Sequence, residues 1–238
     1  MAAVDHAGVK AHRVHAALAA GSVSSAAGVL EQEPLLSWTP ELHAEFAALH
    51  PAKPDLPPAP EEAAAPAAIT QEQLLTVLRH LKKGKAAGPG GMTYEHITAA
   101  VTGREDAIKA LLRLDNLVLS GSLPHCPEFT DSRLIAAGKP HSTGVRPIAI
   151  GEVLARFASL CALAACFEVG ESLAPLQLGV GVAGGTEAMS HALRAAIDAE
   201  PDSVLLMADF QNAFHTPARA EIMHAVRERA PQLERYAT

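Results

Sequence analysis

The amino-acid sequence predicts an α/β (α+β) fold that is rich in helix. Apolar residues recur at helical spacing after residue 69, as at Leu74, Leu78 and Leu81. Residues 132–137 and 146–150 are strand-like segments separated by a longer loop, a pattern that predicts a hairpin. Val204–Ala208 is an apolar run bounded by polar residues, which is typical of a buried strand.

Composition limits the class of protein. Hydrophobic residues make up 49% of the 238 residues, but aromatic residues make up only 4%, so we expect a core of modest stability. Cys126, Cys161 and Cys166 form no CxxC pair, which favours free, buried thiols in a reducing compartment. The first 20 residues lack the apolar core of a secretory signal, and the apolar stretch near 157–167 is about half a membrane span. We therefore expect a soluble intracellular protein that does not contact a membrane.

The net charge of −7 is distributed unevenly. Residues 1–69 and 157–238 each carry a net charge of −5, whereas residues 70–156 carry +3. A nucleic-acid backbone is attracted to positive charge, so any such contact is expected in the middle third.

The chain divides at a proline-rich segment. Residues 1–50 are predicted to be a poorly ordered extension with short helices near 11–20 and 40–49. Residues 51–68 are rich in Ala and Pro, with six prolines between 51 and 66, and are predicted to be an extended, semi-rigid linker. Residues 69–238 then form the main domain.

The first helix of that domain has a clear start. Thr70 and Gln73 are spaced as a capping box, and Ile69 and Leu74 as a hydrophobic staple. Further helices are predicted over 93–101, 105–119, 152–169, 186–199 and 217–229.

Four motifs suggest function. The first is the segment Gly84–Thr93, whose four glycines and one proline predict a turn-rich loop. Basic residues precede it and Lys85 lies within it, so the loop is a candidate for facing nucleic acid. A simple connector between helices is the alternative.

The second motif is the predicted hairpin, with Lys139 in its loop and Arg146 at the start of its second strand. Both side chains are donors that suit a triphosphate. Two solvated surface charges are the alternative.

The third motif is Gln177–Gly185, in which Gly179, Gly181 and Gly184 satisfy the GxGxxG pattern of dinucleotide-binding folds. That interpretation requires a buried strand before Gly179, and Pro175 and Gln177 disfavour one. An NAD- or FAD-binding oxidoreductase therefore stays a less favoured alternative.

The fourth motif is Asp209 at the end of the Val204–Ala208 run. A carboxylate at a strand end, with the Phe210 carbonyl beside it, is suited to Mg²⁺ in phosphoryl transfer. Capping of the following helix is an alternative role for Asp209, and Phe214 is equally compatible with a plain core position.

In this order, the four motifs resemble those of the reverse transcriptase domain of non-LTR (LINE-type) retrotransposons. The resemblance covers roughly residues 80–225 and implies the fingers and partial palm of a right-hand polymerase. It implies an RNA template, a DNA primer and deoxynucleoside triphosphates as partners, and Mg²⁺ as cofactor. The implied nucleotide-binding residues are Lys139, Arg146, Phe210 and Phe214, where Phe214 disfavours a ribonucleotide. The implied metal ligands are Asp209, which is the catalytic residue, and Phe210, and the implied template or primer contacts are Lys85, Gln177 and Gly179.

The resemblance also implies a later palm motif with two adjacent aspartates, which this chain lacks. After Asp209 the only acids are Glu221, Glu228 and Glu234, on segments predicted to be exposed helix. We therefore expect a fragment of an RNA-directed DNA polymerase that is inactive alone. A non-catalytic nucleic-acid-binding remnant is the alternative.

Overall fold

A computed structural model describes residues 6–19, 21–31, 35–49, 64–124, 126–138, 144–173, 175–179, 182–210, 213 and 217–237. The helices are α1 (His6–Ala19), α2 (Val23–Glu31), α3 (Pro40–Leu49), α4 (Gln71–Arg79), α5 (Tyr94–Val101), α6 (Glu105–Leu119), α7 (Pro127–Thr130), α8 (Val153–Ala165), α9 (Phe167–Ser172), α10 (Gly185–Ala199), α11 (Arg219–Arg229) and α12 (Glu234–Ala237). The strands are β1 (Ser132–Gly138) and β2 (Val145–Gly151), which pair in a two-stranded sheet. This helix-rich chain with a small sheet agrees with the predicted α+β class.

The chain divides into two compact units. The first comprises residues 1–43 and 134–149, and the second comprises residues 44–133 and 150–238. In the first unit the hairpin is extended by residues 35 and 36, because Leu36 N–H donates to the Ala136 carbonyl at 3.0 Å and Leu35 bridges Ala137. Ala136 lies buried on β1.

The N-terminal extension is more regular than its sequence predicts. It contains α1, α2 and α3, although only two short helices were expected there. Its sequence is rich in Ala, which has the highest helix propensity, so a weak apolar period does not prevent helix formation. Most of the predicted linker, residues 51–63, lies outside the described residues.

The core of the second unit is built by α4, α5, α6 and α8. On α8 the fully buried Val153, Phe157 and Cys161 follow one another at intervals of four residues, which places them on one face of the helix. Leu74 of α4 and Leu119 of α6 are equally buried in the same cluster. Leu78 and Leu81 pack against this cluster, so the predicted helical spacing of Leu74, Leu78 and Leu81 is confirmed.

The start of α4 has the predicted capping box. Gln73 N–H donates to Thr70 Oγ1 at 3.2 Å, and Thr70 N–H donates to Gln73 Oε1 at 2.9 Å. The preceding Ile69 is fixed by the Asn116 side-chain amide, which accepts from Ile69 N–H at 2.9 Å and donates to its carbonyl at 3.2 Å. The backbone is thus satisfied where the chain enters the core.

The predicted helix over 152–169 is two helices. Cys166 leaves the helical region of the backbone (φ −130°, ψ 38°), so α8 ends there and α9 begins at Phe167. The segment is apolar almost throughout, so its sequence carries no stop signal at this point. Cys161 and Cys166 are free and buried as predicted, whereas Cys126 is free but exposed.

The predicted strand at Val204–Ala208 is wrong. Residues 203–210 have no regular secondary structure, and Val204 and Leu206 are 92% and 90% exposed. A strand is stable only when its backbone groups pair with a neighbour, and no other strand among the described residues pairs with this segment.

The segment after α11 packs onto the core. Gln232 carbonyl accepts from Ala67 N–H at 2.7 Å, and the Tyr236 and Ser159 hydroxyls lie 2.7 Å apart. Glu234, which was expected on an exposed helix, is only 3% exposed and forms an ion pair with Arg227. The expectation of an exposed position is therefore wrong for Glu234. The sequence does not show that Arg227, seven residues earlier, is its partner.

Candidate nucleic-acid interface

The glycine loop, residues 84–93, connects α4 to α5. Gly84 and Gly91 have φ of +71° and +76°, a region that residues with a Cβ rarely adopt. Gly88 lies so close to the end of β2 that a Cβ there would lie 2.7 Å from the Gly151 carbonyl oxygen and 2.8 Å from Glu152 Cα. The loop therefore depends on glycine both for its conformation and for its approach to the neighbouring backbone.

The glycine loop is tied to its surroundings at several points. At its start Gly84 N–H donates to Glu95 Oε1 at 2.6 Å. Farther along, Arg156 Nη2 donates to the Ala86 carbonyl at 2.8 Å, and Gly90 N–H donates to the Glu152 carboxylate. A loop held in this way is a defined structure and not a loose connector.

Exposed cations lie before this loop and at its start. We define the basic cluster as Arg79, Lys82, Lys83 and Lys85, all of which are exposed. Within the described chain, no carboxylate lies within ion-pair distance of the three lysines. The cluster can therefore attract the phosphates of a nucleic-acid backbone.

Glu95 is the acid that contacts the loop beside this cluster. The hydrogen bond from Gly84 N–H lowers the pKa of Glu95, with its own backbone N–H and the Thr93 hydroxyl adding to the effect. Glu95 is therefore an anion at neutral pH, and the cluster keeps a positive excess beside it.

Arg156, which binds the loop, also contacts an aromatic ring. The guanidinium carbon of Arg156 lies 5.3 Å from the centroid of the Tyr94 ring, within cation–π distance. The sequence motifs assign no role to Arg156, Glu152 or Tyr94. The available signal was the four-residue spacing of Glu152, immediately before α8, and Arg156, in its first turn, which places both on one side of the start of the helix.

The hairpin is present, but its predicted phosphate-binding residues are only partly described. Arg146 lies on β2 with an exposed side chain, in the first of the two units. Lys139 lies in the segment 139–143, outside the described residues. The sites predicted at these two positions stay predictions.

Asp209 and Phe210 lie in the exposed irregular segment and not at the edge of a sheet. Phe210 is 79% exposed, and Phe214 lies outside the described residues. The Asp209 carboxylate and the Phe210 carbonyl are oxygen donors of the kind that Mg²⁺ prefers. In the described part of the chain, no three His, Cys, Asp or Glu side chains come together as a metal site.

Gln177 and Gly179 precede a tight turn into α10. The Leu178 carbonyl oxygen packs directly against Gly185, where a Cβ would overlap it, and Gly184 has φ of +66°. Close packing thus explains the glycine at 185, and the left-handed backbone conformation explains the glycine at 184.

The dinucleotide alternative lacks its required structural context. Residues 175–179 and 203–210 are irregular, so strands precede neither Gly179 nor Asp209 among the described residues. Gly181 lies outside them. A βαβ unit around these glycines is therefore not seen.

The chain matches no protein-family model, and no curated protein is significantly similar to it. Among the described residues, no helix is both long and apolar enough to cross a membrane.

Proposed function

We propose that the chain is the fingers and the first palm segment of an RNA-directed DNA polymerase of the non-LTR retrotransposon type. We further propose that this 238-residue form binds nucleic acid but does not synthesise DNA. The observation that carries the proposal is the exposed basic cluster before and at the start of a firmly held glycine loop. The order of the four sequence motifs supports the choice of family.

The basic cluster is suited to a polyanion. The cations Lys82, Lys83 and Lys85 fall within four consecutive residues between α4 and α5, and each is exposed. A polyanion gains affinity from such a row by releasing its condensed counterions. An RNA template paired with a DNA primer is the proposed partner, with Lys85, Gln177 and Gly179 among the contacts.

Catalysis requires more acidic groups than the chain supplies. Asp209 is proposed as one Mg²⁺ ligand, with Phe210 beside it, and Lys139, Arg146 and Phe214 as residues for the deoxynucleoside triphosphate. No two aspartates are adjacent anywhere in the sequence. A two-ion site needs further carboxylates to hold the second ion, so we expect no polymerisation by this chain alone.

Two assays test the proposal. In the first, binding of the full chain to a fluorescent RNA–DNA duplex is measured by anisotropy over a range of salt concentrations, and affinity should fall steeply with salt. In the second, primer extension with Mg²⁺ and all four nucleotides should give no product. Product that disappears in D209A would show a working active site, and the absence of salt-dependent binding would refute the proposed function.

A non-catalytic nucleic-acid-binding remnant is the second candidate, favoured by the lack of two adjacent aspartates in the sequence. In that case replacement of Lys139 and Arg146 should weaken duplex binding, and the chain should incorporate no nucleotide. The oxidoreductase alternative predicts saturable binding of NAD or FAD in a titration, and we expect none.

A further inference from the structure

The end of β2 and the start of α8 hold the glycine loop at three points. Arg156 Nη2 binds the Ala86 carbonyl, Gly88 packs on the Gly151–Glu152 backbone, and the Glu152 carboxylate accepts from Gly90 N–H. The contacts fall on alternate residues of the loop, so its whole central part is fixed.

Such a loop would not keep one conformation without these contacts. Gly88, Gly90 and Gly91 each have wide backbone freedom, and ordering them costs more conformational entropy than ordering other residues. Within the loop itself, the structure records a single backbone hydrogen bond, from Gly91 N–H to the Gly88 carbonyl at 3.2 Å. Its order therefore comes mainly from α8 and α5.

A contribution to the stability of the fold does not by itself explain why position 156 is an arginine. Arg156 Nε is buried and has no hydrogen-bond partner among the described residues. A buried donor without a partner is unfavourable, and an apolar side chain would avoid that cost. The favourable interactions of the same guanidinium are its hydrogen bond to the Ala86 carbonyl and its cation–π contact with the Tyr94 ring.

Resting on the proposed function, we propose that Glu152 and Arg156 are positioning residues that hold the glycine loop, and with it Lys85 of the basic cluster, in the conformation that binds a nucleic-acid backbone. Lys85 directly precedes Ala86, the first point held by α8. Holding the backbone at Ala86 therefore also positions the backbone of Lys85, from which the last cation of the cluster extends.

The charge of Glu152 makes the proposal easy to test. A carboxylate near a polyanion repels it, so if Glu152 acted only through charge, both E152A and E152Q would strengthen binding. If Glu152 positions the loop, E152A should weaken duplex binding, because the carboxylate that accepts the hydrogen bond from Gly90 N–H is lost. E152Q keeps an acceptor oxygen at the same place, so it should bind at least as tightly as the unaltered chain.

The experiment uses the full chain and a short RNA–DNA duplex, in two steps. Amide hydrogen exchange without nucleic acid reports whether the loop is held, and it should be faster over 84–93 in E152A and R156M but unchanged in E152Q. Duplex affinity should then fall roughly tenfold in E152A, corresponding to about 1.4 kcal/mol. The slope of log affinity against log salt should be unchanged, because the phosphate-contacting lysines remain.

R156K is the second conservative variant. Its ammonium can still donate to Ala86 and lie over the Tyr94 ring, so it should recover part of the affinity that R156M loses. Both arginine variants should unfold at a similar denaturant midpoint to the unaltered chain, which separates loop position from folding.

The outcomes are distinguishable. If the unaltered chain binds no duplex in a salt-dependent manner, the proposed function itself fails, and this inference fails with it. If the chain binds but E152A binds equally well, or E152Q is as weak as E152A, only the positioning role is overturned. Unchanged exchange of the loop amides in E152A would overturn it as well.

Discussion

The carboxyl oxygen Oδ2 of Asp115 lies 3.7 Å from Cys161 Sγ, and the thiol donates to it. Asp115 is 2% exposed and Cys161 is fully buried, in the core formed by α6 and α8. Burial is the main cause that raises the pKa of Asp115 to about 7, and the thiol hydrogen bond opposes it. Burial and the neighbouring carboxyl also raise the pKa of Cys161.

The first prediction is a pH-dependent stability that Asp115 controls. The pKa of Asp115 is about 7 in the folded chain and about 3.9 in the unfolded chain. Between these two pH values the folded chain therefore holds a proton that the unfolded chain has lost. The stabilisation is complete below pH 4 and is lost as the pH rises through 7. We therefore expect the free energy of unfolding to fall by a few kcal/mol between pH 5 and pH 8, because each pKa unit corresponds to about 1.4 kcal/mol.

Urea unfolding at these two pH values measures the effect. In D115N the side chain cannot ionise, so the difference between pH 5 and pH 8 should largely disappear. An equal pH dependence in D115N and the unaltered chain would show that other groups cause it.

The second prediction concerns the core face of α8. Phe157→Ala removes a fully buried ring and should destabilise the chain by about 3–5 kcal/mol. Leu163→Ala on the same helix removes a side chain that is 65% exposed, so its cost should stay within about 0.5 kcal/mol. Chemical denaturation of both variants makes the comparison, and similar losses would contradict the described packing.

The third prediction concerns the close approach of Gly88 to the end of β2. Gly88→Ala places a Cβ against the Gly151 carbonyl and the Glu152 Cα, neither of which can move freely. We expect faster amide exchange throughout 84–93 and weaker duplex binding. Gly28→Ala in α2 is the matched control, since nothing lies within 4 Å of a Cβ there, and it should leave both measurements unchanged.

The fourth prediction concerns self-association through the exposed apolar segment. Val204, Leu206 and Met207 are 92%, 90% and 83% exposed, and such a segment is prone to pair with other chains. Val204→Lys with Leu206→Lys should reduce light scattering at high concentration without lowering the free energy of unfolding, because these side chains contribute little to the core. An unaltered chain that stays monodisperse at high concentration would contradict the predicted self-association.

Local sequence signals predicted much of the fold. Thr70 and Gln73 define a helix start whose partners lie within four residues, and the structure has that capping box. The helices α4, α5, α6, α10 and α11 and the hairpin likewise follow from short-range periodicity and turn residues.

Features that depend on distant partners were not predictable. Val204–Ala208 has the composition of a buried strand, but a strand also needs a neighbour, and its local sequence does not show whether one exists. The anchoring of Gly90 by Glu152 joins residues 62 positions apart, so no spacing rule finds it. For the candidate site, sequence identified the glycine loop and Lys85 but not the helix that holds them.

The account depends most directly on the basic cluster as a surface for a nucleic-acid backbone. The decisive measurement is duplex affinity against salt for the triple variant K82A/K83A/K85A. Its control is R104A/K109A/R113A, which removes three exposed cations from the region of α6 with the same change in net charge. We predict that the lysine variant loses affinity and that its slope of log affinity against log salt becomes shallower by about 2 to 3, since each phosphate contact contributes about 0.9. The α6 variant should keep the slope of the unaltered chain, and equal slopes in both triple variants would contradict the account.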